Sequence, residues 1–271
     1  MERTYITLMD EIFKRDRWSC KRCGDKFGKL FAWQFCSGEY ITVCESCRDW
    51  ALKNAEESKK IFTDAIRVNK IVFVGDCHGN FTKLDSVLTE EDPTMFISVG
   101  DVGTLKDVTS SDLDIIDKWK DKGFAIRGNH DNVDFFNRIG LVQEINGLQV
   151  VGLNGMFKTR NFINETKGNI SFREVFYLAH LRNIDIFVTH QPPTGLYENA
   201  GEVVFEELLR YLNAKIAVSG HLHTYKLNFY LQTFVISLPM IDKGYAVATF
   251  QGRELRNMEI VLKKGKKVIR V

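Results

Sequence analysis

Short apolar runs, each closed by a glycine and polar residues, recur along the chain from Lys70 onward. We predict strands in KIVFVGDCHGN, TMFISVGDVG and GFAIRGNHD. Between them, apolar residues recur with helical spacing, which predicts helices from Phe81 to Thr89 and from Ser111 to Lys122. Apolar strands that alternate with helices are typical of an α/β sheet with right-handed crossovers.

The second half of the chain continues this pattern and then changes it. NIDIFVTH and KIAVSGH predict strands that end at His190 and His221, with a helix between them from Val203 to Leu212. Beyond them the apolar residues alternate in KLNFYLQTFVISLP, GYAVATFQ and MEIVLKKGKKVIRV. Such alternation predicts antiparallel hairpins.

Every one of the five predicted strands ends in side chains that can bind metal. Five of the six histidines lie at these ends, and only His180 lies elsewhere. The carboxyl ends of parallel strands meet at one edge of a sheet, so we expect these side chains to converge. Carboxylates, imidazoles and an amide suit Mn²⁺, Fe, Zn²⁺ or Ni²⁺. The candidate ligands are Asp76, His78, Asp101, Asn129, His190, His221 and His223.

The segment SGHLH carries two of these histidines one residue apart. In an extended backbone, residues i and i+2 point to the same side, so His221 and His223 are expected to aim at one point. Gly220 would let the backbone turn tightly beside them.

A separate pattern of cysteines occupies the first fifty residues. Two CxxC pairs are separated by twenty residues, and four thiolates at this spacing suit a closed tetrahedral Zn²⁺ site. The pattern resembles a zinc ribbon, with redox chemistry or an iron site as the alternatives. We therefore predict a zinc-ribbon-like module over residues 1–50, a helical connector over 51–69 and a main domain over 70–271. The predicted zinc ligands are Cys20, Cys23, Cys44 and Cys47, whereas Cys36 has no partner at this spacing.

Composition excludes some classes of protein. The chain has 271 residues, 44% of them hydrophobic and 27% charged, with a net charge of +2, so no global charge draws it to nucleic acid. Basic stretches remain at 14–17 and 263–267, and they leave nucleic acid open as a partner. No apolar run is long enough to span a membrane and the N-terminus lacks the apolar core of a signal peptide, so we expect a cytoplasmic protein with reduced cysteines.

The order DxH, GD, GNHD, H and GHxH, over about Lys70–Phe250, resembles the calcineurin-like metallophosphoesterase family. The resemblance implies a two-sheet β-sandwich flanked by helices, an α/β (α+β) fold whose second sheet the C-terminal hairpins would complete. It also implies two divalent metal ions bridged by Asp101. One ion would be held by Asp76, His78, Asp101 and His223. The other would be held by Asp101, Asn129, His190 and His221.

The same resemblance assigns catalytic roles around the GNHD motif. His130 would protonate the leaving oxygen or hold the phosphate, and Asp131 would orient His130. Arg127 precedes the motif and is a candidate phosphate contact. Two metal ions about 3.5–4 Å apart can clamp a phosphoryl group and generate a hydroxide nucleophile. The expected activity is hydrolysis of a phosphomono- or phosphodiester, with a phosphodiesterase or nuclease-like activity favoured.

Four alternatives remain at this point. Serine/threonine protein phosphatases resemble GDCHGN and RGNHD, but they carry GDxxDRG and GNHE where this chain has GDVGT and Asp131. VVGLNGMFKTRN and IDIFVTHQPP loosely resemble lariat-debranching enzymes, which carry cysteine where Asp76 stands; Lys158 and Arg160 are candidate phosphate contacts there. The last two alternatives are a nucleic-acid-binding zinc-ribbon protein whose catalysis is incidental and a metal-bound scaffold without activity.

Overall fold

The structure is a computed structural model in which two compact units are distinguished. The smaller unit takes the described residues up to Val68 together with Gln251–Glu254, and the larger unit takes the others. No helix among the described residues is long and apolar enough to cross a membrane. The described residues are 5–8, 30–34, 40–54, 67–158, 169–197, 200–263 and 265–270.

Among its described residues, the smaller unit contains a three-stranded antiparallel sheet and one helix. Strands β1 (Tyr5–Leu8), β2 (Leu30–Gln34) and β3 (Tyr40–Cys44) pair in that order. Helix α1 (Glu45–Lys53) follows β3 directly. Several features predicted for this region lie outside the described residues: Cys20, Cys23, Cys36 and residues 55–66 of the connector.

The first sheet of the larger unit has seven strands, and the four successive strands β4, β5, β6 and β7, which end at one edge, are parallel. Its spatial order is β16-β15-β14-β4-β5-β6-β7. The strands are β4 (Val68–Val74), β5 (Met95–Ser98), β6 (Gly123–Ala125), β7 (Asn137–Arg138), β14 (Gly244–Gln251), β15 (Glu254–Leu262) and β16 (Gly265–Arg270).

The second sheet has six strands in the order β12-β13-β11-β10-β9-β8. Its four central strands are parallel, and both edge strands pair antiparallel to their neighbours. The strands are β8 (Gln143–Ile145), β9 (Leu148–Leu153), β10 (Ile186–Thr189), β11 (Ile216–Ser219), β12 (Lys226–Tyr230) and β13 (Thr233–Ser237).

Four α-helices among the described residues of the larger unit cover the outer faces of these sheets. Helices α2 (Phe81–Glu91) and α3 (Ser110–Trp119) belong to the first sheet, and α4 (Phe172–Leu178) and α5 (Val203–Leu212) to the second. The predicted bounds of α5 match, whereas α2 runs further than predicted and α3 begins and ends earlier. Reciprocal hydrogen bonds between Thr109 and Asp112 form a capping box that fixes the start of α3.

Alternate residues of β4 show how the layers pack. Ile71 and Phe73 join a buried core that contains residues of both sheets, whereas Val72 and Val74 pack with the buried faces of α2 and α3. This period of two is what a strand buried on both faces requires. The prediction of a two-sheet sandwich flanked by helices is confirmed.

The C-terminal strands divide between the sheets, which corrects one prediction. Strands β12 and β13 complete the second sheet as expected, but β14, β15 and β16 extend the first sheet beside β4. Residues of β14 account for this place, because Ala246 and Ala248 face the core between the sheets while Tyr245 and Val247 face the helices. Alternation in the sequence indicated strands but not the sheet that each would join.

Candidate metal centre

Five strands deliver the candidate ligands in loops that follow their last residues. Asp76 comes two residues after β4, and Asp101 comes three residues after β5. His190 follows β10 directly, and His221 follows β11 by two residues. The structure brings carboxylates and imidazoles from both sheets together in two overlapping groups that could hold metal ions. The sequence-based expectation of convergence at one edge is therefore met by these residues.

The first group contains Asp76, His78 and His223, whose ligand atoms all lie within 4.8 Å of one another. His223 Nε2 lies 2.7 Å from Asp76 Oδ2 and 3.3 Å from His78 Nε2. The carboxylate of Asp76 is fully buried, whereas His78 is exposed. These three side chains present nitrogen and oxygen donor atoms to a common point, and the exposure of His78 gives solvent access to it.

The second group contains Asp76, Asp101 and His190, all buried. His190 Nδ1 donates to the carbonyl oxygen of Val99 at 2.9 Å, so Nε2 faces the site. His190 Nε2 lies 3.0 Å from Asn129 Oδ1 and 3.4 Å from Asp101 Oδ2, both of which are acceptors. In the neutral ring with its proton on Nδ1, Nε2 presents a lone pair to these two oxygens. A metal cation between the three atoms would satisfy all of them, and in the metal-free protein a proton on Nε2 can do so instead.

In the absence of a metal ion, Asp101 and His190 of this second group shift each other's pKa. Burial of Asp101 would raise its pKa, but the hydrogen bond and charge of His190 outweigh burial and leave the pKa below its usual value. Burial lowers the pKa of His190, yet Asp101 outweighs it and the pKa of the imidazole is raised. A divalent cation at Nε2 would take the place of that proton, as metal binding at histidine does in general.

His221 and His223 do not lie in an extended segment. Both have left-handed backbones, with φ of 67° and 52°. His223 joins Asp76 and His78, whereas the ring of His221 lies 5.0 Å from the ring of His190. The expectation that the two histidines aim at one point is therefore wrong. The backbone N–H of His221 also lies 3.1 and 3.2 Å from the two oxygens of Asp76.

Left-handed backbones recur at the candidate ligands. His78 and Asp101 have φ of 45° and 50°, in addition to the two histidines of SGHLH. Non-glycine residues adopt this region rarely and at a cost, and such residues concentrate at functional sites. The loops here hold the candidate ligands in backbone conformations that are locally unfavourable.

Two glycines allow the ligand loops to approach each other. A Cβ at Gly220 would lie 2.3 Å from Asp76 Oδ1, and a Cβ at Gly128 would lie 2.1 Å from Asp101 Oδ1. Any larger residue would displace these carboxylates. The glycine in GNHD therefore allows close packing against a candidate ligand of the neighbouring strand, and the glycine in GHxH allows it against a candidate ligand of the other sheet.

The GNHD motif lies at the exposed side of the site. His130 is exposed, its backbone N–H donates to Asp101 Oδ1 at 2.8 Å, and its ring packs edge-on against His78 with centroids 5.5 Å apart. The Asp131 carboxylate accepts hydrogen bonds from backbone N–H groups, and its pKa is raised by burial. Arg127 forms a bidentate pair with Asp134, with Nε–Oδ1 and Nη2–Oδ2 distances of 2.7 and 2.8 Å.

Three residues near the site were not singled out as functional from sequence. The carbonyl of Val99 orients His190, and Asp134 holds Arg127. Cys77, between two predicted ligands, is buried, and burial raises the pKa of its thiol far above the usual value, so it packs as a neutral group. The contact made by a backbone carbonyl cannot be predicted from sequence. The ion pair of Arg127 with an aspartate seven residues later is only weakly indicated by the sequence. Lys158 is exposed, and Arg160 lies outside the described residues.

In the smaller unit, the second CxxC pair lies at a strand-to-helix junction. Cys44 ends β3, Cys47 lies in the first turn of α1, and both are buried. Cys44 Sγ lies 3.2 Å from Ser46 Oγ. A helix N-terminus favours thiolates, which are the form that binds metal.

Comparisons with known proteins agree with this fold. The calcineurin-like phosphoesterase family matches residues 69–225. The protein TT1561 of Thermus thermophilus is 14% identical, with a TM-score of 0.51 over 70% of this chain and 97% of its own. A dimetal phosphatase from Danio rerio is 9% identical, with a TM-score of 0.54 over 74% of this chain and 98% of its own. No curated protein matches. Since the family match spans more than half of its residues, the chain belongs to the calcineurin-like phosphoesterase family, and it is a hydrolase that acts on phosphoester bonds.

Proposed function

We propose that the protein hydrolyses phosphodiesters of nucleic acid or a nucleotide with two divalent metal ions. The observation that carries the metal-dependent part is the position of His190 Nε2, which lies 3.0 Å from Asn129 Oδ1 and 3.4 Å from Asp101 Oδ2, so that one metal ion could be held by all three atoms. The proposed ligands are those implied by the resemblance, with Asp101 shared: Asp76, His78, Asp101, Asn129, His190, His221 and His223.

The proposed bridge can be tested against a second candidate. The resemblance implies that Asp101 bridges the two ions, whereas Asp76 is the residue common to the two groups of ligands. One oxygen of Asp101 accepts the backbone N–H of His130, and the other faces His190. Counting the ions bound by Asp76→Asn and by Asp101→Asn would separate the two assignments, because a bridging carboxylate serves both sites.

In the proposed reaction, different residues of the chain hold the metal ions and donate the proton. When bound, the two ions would neutralise the phosphoryl oxygens and activate a water molecule as nucleophile. His130, exposed beside His78, is placed to donate a proton to the leaving oxygen. The backbone N–H of His130 donates to Asp101 Oδ1, which ties the loop of the proposed acid to the loop of the proposed ligand.

The preference for a diester is supported by the charge near Arg127. A phosphomonoester dianion carries more charge than a diester and gains more from a cationic side chain. Arg127 instead pairs with Asp134 through two hydrogen bonds, and Asp134 also lies 3.7 Å from Arg138. The bidentate pair occupies the Arg127 guanidinium, and the three side chains together keep a single net positive charge, which favours the singly charged substrate over a dianion.

We also propose that Cys44 and Cys47, together with Cys20 and Cys23, hold one structural Zn²⁺. The burial of the two described thiols at the start of α1 supports this assignment. Their unit would then present nucleic acid to the hydrolase. A salt-dependent affinity of residues 1–60 for DNA or RNA, lost on removal of zinc, is the expected result.

One assay tests the proposed activity. The full chain is stripped of metal, reloaded with Mn²⁺ and offered bis-p-nitrophenyl phosphate, p-nitrophenyl phosphate, cyclic nucleotides, and linear or branched nucleic acid. We expect the aryl diester to be hydrolysed faster than the aryl monoester. A preference for the monoester would refute the diester assignment, and two bound ions without turnover of any substrate would favour the scaffold alternative.

A further inference from the structure

The Asp131 carboxylate contacts three backbone N–H groups in two different loops. Oδ2 accepts from Asp101 N at 2.7 Å and from Gly128 N at 2.8 Å, and Oδ1 accepts from Gly103 N at 3.1 Å. Among the described residues, these are its hydrogen bonds, and none goes to the ring of His130. Bonds from N–H groups to a carboxylate are among the stronger hydrogen bonds in proteins. Asp131 therefore ties the loop after β5 to the loop after β6.

Asp101 is the residue that these contacts restrain most directly. Its backbone is left-handed, with φ of 50°, a conformation that needs support from its surroundings. Its carbonyl oxygen accepts the N–H groups of Cys77 and His78 at 3.0 and 2.9 Å. Its carboxylate accepts His130 N at 2.8 Å. A movement of Asp101 would therefore be passed to the loops that carry His78 and His130.

The contacts between the two motifs are reciprocal. The carboxylate of the GNHD motif binds the N–H of Asp101, and the carboxylate of Asp101 binds the N–H of His130. Each acidic side chain thereby fixes the backbone of the other loop. Removal of either carboxylate would release a strained segment that carries a metal ligand.

We propose that Asp131 is a positioning residue for the metal ligand Asp101, and that it sets the affinity for metal rather than the proton transfer by His130. This inference rests on the proposed dinuclear site. It assigns Asp131 to a role different from the one implied by the resemblance, in which it orients His130. The two roles predict different measurements.

The test compares Asp131→Asn with the wild-type full chain by calorimetric titration of the metal-free protein with Mn²⁺. The asparagine amide has one acceptor oxygen, so at least one of the three N–H groups faces its NH₂ group whichever way it turns. We expect the affinity for Mn²⁺ to fall by about 10–100-fold, which is typical when a group that orients a ligand is lost. At saturating Mn²⁺, the dependence of the rate on leaving-group pKa should match that of wild type.

The matched control is Asp117→Asn, since Asp117 is an exposed carboxylate on α3 that pairs with Lys120 at 2.9 Å. It should bind Mn²⁺ as wild type does. Wild-type affinity in Asp131→Asn, or a selective loss of rate on poor leaving groups at saturating metal, would overturn the proposal. The second outcome would restore the role of orienting His130.

A second measurement needs no variant, so it remains decisive if Asp131→Asn does not fold. Amide hydrogen exchange of the wild-type protein should show protection at Asp101, Gly103 and Gly128, since all three donate to one carboxylate. Rapid exchange at these amides would overturn the inference. If wild type binds no divalent metal, the proposed function fails, and the amide exchange still reports separately on the Asp131 contacts.

Discussion

Replacement of Gly128 by alanine probes the packing of the proposed metal site with a single methyl group. The new Cβ would lie 2.1 Å from Asp101 Oδ1, 2.7 Å from Asp101 N and 2.7 Å from His190 Cε1. The neighbouring atoms thus belong to two proposed ligands, and one of them is backbone. Gly128 does not have a positive φ, so the conflict is one of contact and not of backbone conformation.

The displacement that follows can be estimated from ordinary contact distances. Non-bonded heavy atoms pack at roughly 3.5 Å, so the Asp101 oxygen must move by about 1.4 Å or the loop must shift by a comparable amount. A misplacement of about 1 Å near reacting groups costs about 100-fold in rate. We therefore expect Gly128→Ala to lower kcat/KM by at least about 100-fold and to weaken metal binding.

Gly140→Ala is the matched control, because the nearest atom to its new Cβ would be the carbonyl oxygen of Val142 at 3.9 Å. Both variants are assayed with bis-p-nitrophenyl phosphate over a range of Mn²⁺ concentrations, and thermal unfolding is followed in chelator. Gly140→Ala should behave as wild type. If Gly128→Ala binds two ions with wild-type affinity and turns over normally, then Gly128 does not pack against the ligands in the way described.

Three further predictions concern individual roles. Asp101→Asn should lose both catalytic ions and turnover, and elemental analysis that finds two ions still bound would exclude Asp101 as the bridge. His130→Ala should keep both ions and slow turnover by about 10²–10⁴-fold, most for poor leaving groups; a rate ratio that is flat across leaving-group pKa would mean that His130 positions phosphate. The double variant Cys44→Ser/Cys47→Ser should lose about one zinc ion and still hydrolyse a small aryl phosphate. If that activity is lost while the larger unit remains folded, the cysteines belong to the active site.

The alternation of apolar runs and helices was sufficient to predict an α/β sheet with crossovers in the larger unit, whereas the two-sheet sandwich was implied by the resemblance to the family. Strands buried on both faces read as continuous apolar runs, and most of them were closed by a glycine, although the run that ends at His190 was not. The C-terminal strands show the limit of this reasoning. Strands β12 and β14 both alternate, yet they join different sheets. The sheet that each strand joins depends on the core against which its apolar face packs, and this is decided by the tertiary structure.

The candidate site was predictable as a set of residues but not as a geometry. Histidine is scarce in this chain, so its repeated appearance after apolar runs indicated a shared role. The contacts that order the site are made largely by backbone atoms, such as the Val99 carbonyl and the N–H groups that bind Asp131. Backbone atoms are the same in every residue, and sequence patterns therefore carry no record of them.

The pair of histidines in SGHLH shows why spacing alone misleads at such a site. An i, i+2 pair shares a face only where the backbone is extended, and here both residues are left-handed. The turn sends His223 toward Asp76 and places the ring of His221 beside that of His190. One short loop thereby contributes His223 to the first group of ligands and places His221 beside His190 of the second group. Two-metal chemistry needs ions about 3.5–4 Å apart, and a loop whose two histidines diverge would supply donors to both positions from a single strand end, as proposed for His223 and His221.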